Sequence, residues 1–122
     1  MANQSEYDSA PSEKRNVLFV CSRNQWRSPT AEAVWRRHPM LSVRSAGTSR
    51  SARRKITVED LRWADVVFVM EDKHRAKLIA DFSTSVAHKP IHVLDIPDEY
   101  QFMDPELVEQ LRDTVARLLG LE

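Results

Sequence analysis

The chain has 122 residues with 18 basic and 18 acidic side chains, so its formal net charge is zero. That balance excludes a global field drawing it to nucleic acid or an anionic membrane, and no apolar run approaches the ~20 residues of a membrane helix. A lone cysteine excludes an internal disulfide, and 42% hydrophobic residues suit one ordinary globular domain.

Residues 1–15 are polar and aperiodic and read as a disordered tail, leaving 16–122 as a single domain. The acids near the start and the missing apolar segment argue against a secretory leader, so a reducing, cytoplasmic location is expected. Residues 16–20 (NVLFV) form a short apolar run, the signature of a buried strand. A helix is expected from Ser28 to about His38, with Ser28 as its cap, Pro29 at its first position and Glu32 in its first turn. Ala31, Val34 and Trp35 share one face of it, and Pro39 ends it. Residues 41–46 read as a second strand closed by Gly47, followed by a polar, basic loop over 48–55. Thr57 caps a short helix reaching Trp63. Residues 66–70 (VVFVM) are a third buried strand, and Asp72 to about Phe82 is helical. A fourth strand covers 91–94, and 95–103 is a loop. Asp104 caps the last helix, with Pro105 at its first position and Leu107, Leu111, Val115, Leu118 and Leu119 along its apolar side.

Short apolar strands alternating with helices imply an α/β fold: a three-layer sandwich whose four-stranded parallel sheet is covered by helices on both faces. Ligands of such sheets bind beyond the C-terminal strand ends. Three loops meet that edge: 21–28, 45–55 and 95–103.

The first of these loops carries chemistry. Cys21-Ser22-Arg23-Asn24-Gln25-Trp26-Arg27-Ser28 follows a strand and opens a helix. Five residues between cysteine and arginine can curl so that successive N–H groups point inward as an anion nest, at a helix N-terminus with its own free donors. Arg27 supplies a planar fork for two phosphate oxygens. Cys21 then lies under the phosphorus for in-line attack, and the same dipoles favour thiolate over thiol. Ser28 can donate to that thiolate. Cysteine and arginine at this spacing are weak evidence alone; strand before, Ser-Pro helix start after, and position at the ligand edge strengthen the reading.

The segment VLFVCSRNQWRSPTAEAVW resembles the opening of the low-molecular-weight protein tyrosine phosphatases. The similarity continues through 43–48 (VRSAGT), 56–61 (ITVEDL) and 64–70 (ADVVFVM) to the final helix, so it covers nearly everything after residue 15. It implies hydrolysis of a phosphomonoester through a phosphocysteine on Cys21, with Arg27 clamping phosphate and no metal or other cofactor. It implies that Asp98, in Asp98-Glu99-Tyr100, is the general acid and base, with Asp95 and Asp104 as rivals; Asp104 is better explained as a helix cap. By the same resemblance Ser22, Arg23, Asn24, Gln25, Trp26 and Ser28 surround the phosphate, and Tyr100 lines the pocket. Asn24 takes a left-handed conformation, held by the hydroxyls of Ser28 and Ser45.

Several positions depart from the family pattern. Arg23 stands where glycine is usual and would be strained if the position needed positive φ. Trp26 replaces a second loop cysteine. The stretch from Thr48 to Ile56 is short, which removes a helix and a wall that grip phosphotyrosine, and Ser51 replaces a histidine that helps anchor the asparagine. The truncated loop is basic, so Arg50, Arg53, Arg54 and Lys55 are either a solvated face or contacts for an anionic neighbour of the phosphate, such as an acidic peptide, a nucleotide or an RNA end. His38 and His74 read as helix-surface groups. The expected partner is a phosphorylated protein or small phosphomonoester. Two alternatives stay open: a catalytically weak phosphate- or phosphoprotein-binding module, and an arsenate reductase using an external thiol.

Overall fold

Within residues 14–121, which the computed structural model of the protein describes, four short runs form strands. Residues 1–13 of the tail expected over 1–15 lie outside the described residues. The strands are β1 (Arg15–Cys21), β2 (Leu41–Gly47), β3 (Val66–Val69) and β4 (Ile91–Val93). The helices are α1 (Arg27–Trp35), α2 (Val58–Trp63), α3 (Asp72–Val86) and α4 (Pro105–Leu119). Every pairing is parallel, and the sheet runs β2-β1-β3-β4.

The parallel sheet explains why β1 and β3 are apolar at every position: alternate residues enter two different cores. Val17, Phe19, Val66 and Phe68 face α1 and α4, where they meet Ala31, Trp35, Leu107, Leu111 and Val115. Leu18, Val20, Val67 and Val69 face the other way, toward Leu61 of α2 and Leu78 and Val86 of α3. The expected three layers are therefore present, with one pair of helices on each face.

Element boundaries depart from the sequence reading in instructive ways. β1 starts at Arg15, inside the expected tail, because that residue pairs with Leu41 and donates its N–H to the Met40 carbonyl. Ser28 is not the cap of α1. The helix starts at Arg27 after Trp26, no side chain caps it, and Pro29 is its third residue. The Ser28 hydroxyl is directed instead to the thiol of Cys21. The helix over 72–82 continues to Val86, across a break at Phe82 (φ −136°, ψ 41°) where the sequence pattern ends. Leu118 is 40% exposed and leaves the apolar stripe of α4, whereas Leu107, Leu111, Val115 and Leu119 are buried. The expected caps Thr57 and Asp104 are both in place, Thr57 in a reciprocal capping box with Asp60.

Candidate active site

β1 is the central β2–β3 neighbour, and its last residue is Cys21, so the chain leaves the sheet edge there and turns into α1. The turn between them is built from behind. The Cys21 carbonyl accepts from Thr48 N–H (3.0 Å), that of Ser22 from Ser49 N–H (2.9 Å), and that of Arg23 from Arg53 N–H (2.9 Å). The Asn24 carbonyl accepts from Nε of Arg53 (2.9 Å). Four consecutive carbonyls thus point away from the cavity toward the 48–53 segment. The amides of residues 22–27 donate to no acceptor among the described residues. They form a curl of free N–H donors at the uncapped start of α1, a ready anion site.

Gly47 makes the clasp possible. A methyl group at that position would meet the Ser22 carbonyl oxygen and the Ala52 Cβ at 2.6 Å. Only the absent side chain lets the two loops close on each other.

Asn24 has φ 54°, the left-handed region expected of it, and is fully buried. Its Nδ2 donates to Ser28 Oγ (2.9 Å) and Ser45 Oγ (3.0 Å). Ser45 donates its own proton to Glu32 (2.5 Å), since a carboxylate only accepts. This fixes the direction of the whole chain of bonds. With its oxygen occupied by Asn24, Ser28 directs its proton to Cys21 Sγ at 3.1 Å; the Ala46 carbonyl lies farther off at 3.4 Å. Ser51, by contrast, bonds Ser49 on the surface and does not reach Asn24.

Arg27 is buried and anchored through one nitrogen. Its Nη1 donates to Glu71 (2.8 Å) and to the Ile96 carbonyl (2.8 Å), and its Nε lies 3.7 Å from Asp98 Oδ1. Two fixed partners on one nitrogen hold the guanidinium plane. The Arg27 guanidinium holds the Glu71 carboxyl below its usual range against the effect of burial, so Glu71 stays ionised beside it. Asp98 stands at the mouth, with its side chain more than half exposed.

His74 was not visible as a site residue in the sequence, where it reads as a surface group; it is 1% exposed. Glu71 N–H donates to His74 Nδ1 (3.0 Å), so the ring's own proton sits on Nε2 and goes to Ser22 Oγ (2.8 Å). Burial first, then the charge of Arg27, push its pKa down to about 4, so the ring is neutral near pH 7. Its position three residues after Glu71, in the first turn of a helix, is the only sequence sign of this role. Glu32 and Glu71 were likewise missed as members of the site.

These groups enclose a cavity of about 100 Å³ lined by Cys21, Ser22, Arg23, Gln25, Trp26, Arg27 and Asp98. Asn24, Ser28 and Ser45 lie behind it as braces. Tyr100 does not line it. The ring packs against the core on the α4 side and its hydroxyl accepts from Gln110 (2.9 Å), because burying the aromatic face outweighs exposing it at the mouth. The expected strain at Arg23 is absent, as Asn24 alone in the loop has positive φ. Arg53 and Arg54, though exposed, also make bonds within the fold. Arg53 braces the loop, while Arg54 donates to the Ser45 carbonyl (2.8 Å) and, with Arg44, pairs with buried Asp60. Burial pushes Asp60 upward, but bonds from Arg54 and the Thr57 amide win and hold it below the usual carboxylate range. Arg50 and Lys55 are exposed. Among the described residues no group of three or more His, Cys, Asp or Glu could hold a metal ion. No helix among them is long and apolar enough to cross a membrane.

The fold with this loop at its edge is that of the low-molecular-weight protein tyrosine phosphatases, as the sequence resemblance implies. The chain is similar to the low-molecular-weight protein tyrosine phosphatase of T. tengcongensis (20% identity, 88% of this chain and 99% of that one, TM-score 0.72). It is similar to the tyrosine phosphatase Wzb of Escherichia coli K30, solved with phosphate (21%, 88% and 97%, TM-score 0.71), and to the YwlE arginine phosphatase of Geobacillus stearothermophilus (22%, 87% and 88%, TM-score 0.64). No protein-family model matches the sequence, and no curated protein matches it.

Proposed function

We propose that the chain is a phosphomonoester hydrolase of the protein tyrosine phosphatase type that works through a phosphocysteine on Cys21. The observation carrying this is the row of unpartnered amides at 22–27, with a thiol at one end and a fixed guanidinium at the other. Such a row suits three equatorial phosphate oxygens. The solved structure of Wzb with phosphate shows that this fold can hold such an anion.

In this reading Cys21 Sγ attacks phosphorus as the bond to the leaving oxygen breaks, and Asp98 gives that oxygen its proton. Asp98 then takes a proton from water, which attacks the phosphocysteine and frees phosphate and the thiolate. Ser28 donates to the sulfur when it carries charge. Arg27 holds two oxygens through the nitrogens left by Glu71 and Ile96. A thiolate nucleophile fits a reducing, cytoplasmic setting. The substrate is a phosphorylated protein side chain.

Turnover of p-nitrophenyl phosphate in excess chelator tests the assignment. The wild type hydrolyses it and Cys21→Ser does not. A wild type that binds vanadate without turnover points to the phosphate-binding module instead.

A further inference from the structure

Next to the phosphate cavity lies a second, larger groove of about 390 Å³, lined by Gln25, Pro29, Glu32, Arg36, Arg53 and Phe102. Gln25 lines both, so the two are adjacent. Neither Arg36 nor Arg53 lies within ion-pair distance of a carboxylate among the described residues. Arg53 uses Nε for the loop and leaves the rest of its guanidinium outside. Phe102 is 53% exposed, the most exposed large apolar side chain described.

The opposite rim has the reverse sign. Glu71, Asp72 and Asp95 line the depression there, with Lys73 as its one cation, and Asp98 stands between that side and the cavity. In a chain of zero net charge, this puts an electrostatic gradient across the mouth.

We propose that the groove is a subsite for the polypeptide flanking the phosphorylated residue, and that it takes an acidic side chain through Arg36 and Arg53 against the apolar wall of Phe102. This rests on the phosphatase reading above. A peptide fits the lining better than a nucleic acid. Glu32, whose Oε1 accepts from Ser45, adds a carboxylate to the groove. That acceptor suits the backbone N–H donors of a polypeptide, which a sugar-phosphate backbone lacks. The groove therefore replaces, from the α1 side, the substrate wall that the short 48–56 segment lacks.

The test compares two phosphotyrosyl peptides that differ only in carrying Glu or Lys on both sides of the phosphotyrosine, with p-nitrophenyl phosphate as a substrate too small to reach the groove. At low ionic strength the Glu peptide has a kcat/KM about five- to ten-fold higher, expressed in KM, and added salt erases the difference. Arg36→Glu abolishes or inverts the preference and leaves p-nitrophenyl phosphate turnover within about two-fold. Equal kcat/KM for both peptides with normal p-nitrophenyl phosphate turnover overturns the subsite alone. A nucleoside 3′,5′-bisphosphate consumed more efficiently than the Glu peptide overturns the polypeptide assignment. Binding of both peptides to Cys21→Ser protein is measured in parallel. Should the wild type fail on p-nitrophenyl phosphate, the phosphatase reading falls, and the ratio of the two binding constants still decides for or against the groove.

Discussion

Two loops reach the same sheet edge and have opposite characters. The 48–55 segment looks like the substrate-binding one from its charges, yet its backbone, one nitrogen of Arg53 and the guanidinium of Arg54 are bonded within the fold. They hold four carbonyls of the phosphate loop and one buried aspartate. The 95–103 segment makes few such bonds. It contributes the Ile96 carbonyl to Arg27 and leaves Asp98 exposed at the cavity. The difference shows that a charged loop need not present all of its charges to ligand. A guanidinium has five donors, and unpaired backbone carbonyls beside a tight turn claim them first.

The sharpest way to break this comparison is to strike the exposed loop. Asp98→Asn removes the proposed proton donor without changing shape, and kcat for phosphotyrosyl peptide is expected to fall about 10²- to 10⁴-fold with folding unchanged. The loss is smaller for p-nitrophenyl phosphate, whose leaving group needs less protonation. An unchanged kcat on both substrates would transfer the acid to another residue.

Striking the clasp instead should cost stability and geometry together. Gly47→Ala drives a methyl into the Ser22 carbonyl and Ala52. Denaturant melts should show a loss of about 1–3 kcal/mol, and phosphate affinity should fall with it as the amides move. A fully stable, fully active variant would mean the two loops separate at no cost.

The smallest effect concerns pH. The His74 pKa is lowered to about 4 in the fold from the ordinary 6.5, so between these values the unfolded chain binds a proton that the fold refuses. Stability is therefore complete above about pH 6.5 and declines as pH falls toward 4, by roughly 3 kcal/mol. The neighbouring charges are Arg27 and Lys73, which oppose the imidazolium, and Glu71 and Asp98, which favour it. The carboxyls of Glu71 and Asp60 are lowered and add losses in more acidic solution. His74→Gln keeps a hydrogen-bonding group and should flatten the upper part of the profile. A profile identical to wild type would contradict the burial of a neutral ring.

Much of this was legible in the residue order. Fully apolar runs such as 66–69 announce strands buried on two faces, and the cysteine-to-arginine spacing places the cavity. What escaped depends on contacts distant in sequence. His74 looks like any helix-surface histidine until β1 brings Ser22 beside it. Ser28 has the composition of a cap, but the sulfur seven residues back competes for its hydroxyl. Tyr100 sits where the family resemblance puts a pocket wall, and Gln110 of α4 draws its hydroxyl away. Local chemistry offered each group two partners, and only the packed sheet and helices select between them.

The central claim is tested most directly by quenching the enzyme in acid during turnover of p-nitrophenyl phosphate and locating the phosphoryl group by peptide mass spectrometry. The account predicts a phosphoryl adduct on the peptide carrying Cys21, accumulating further in Asp98→Asn as its water-activating base is lost. Steady turnover with no adduct on Cys21, or with the adduct on another residue, would contradict it.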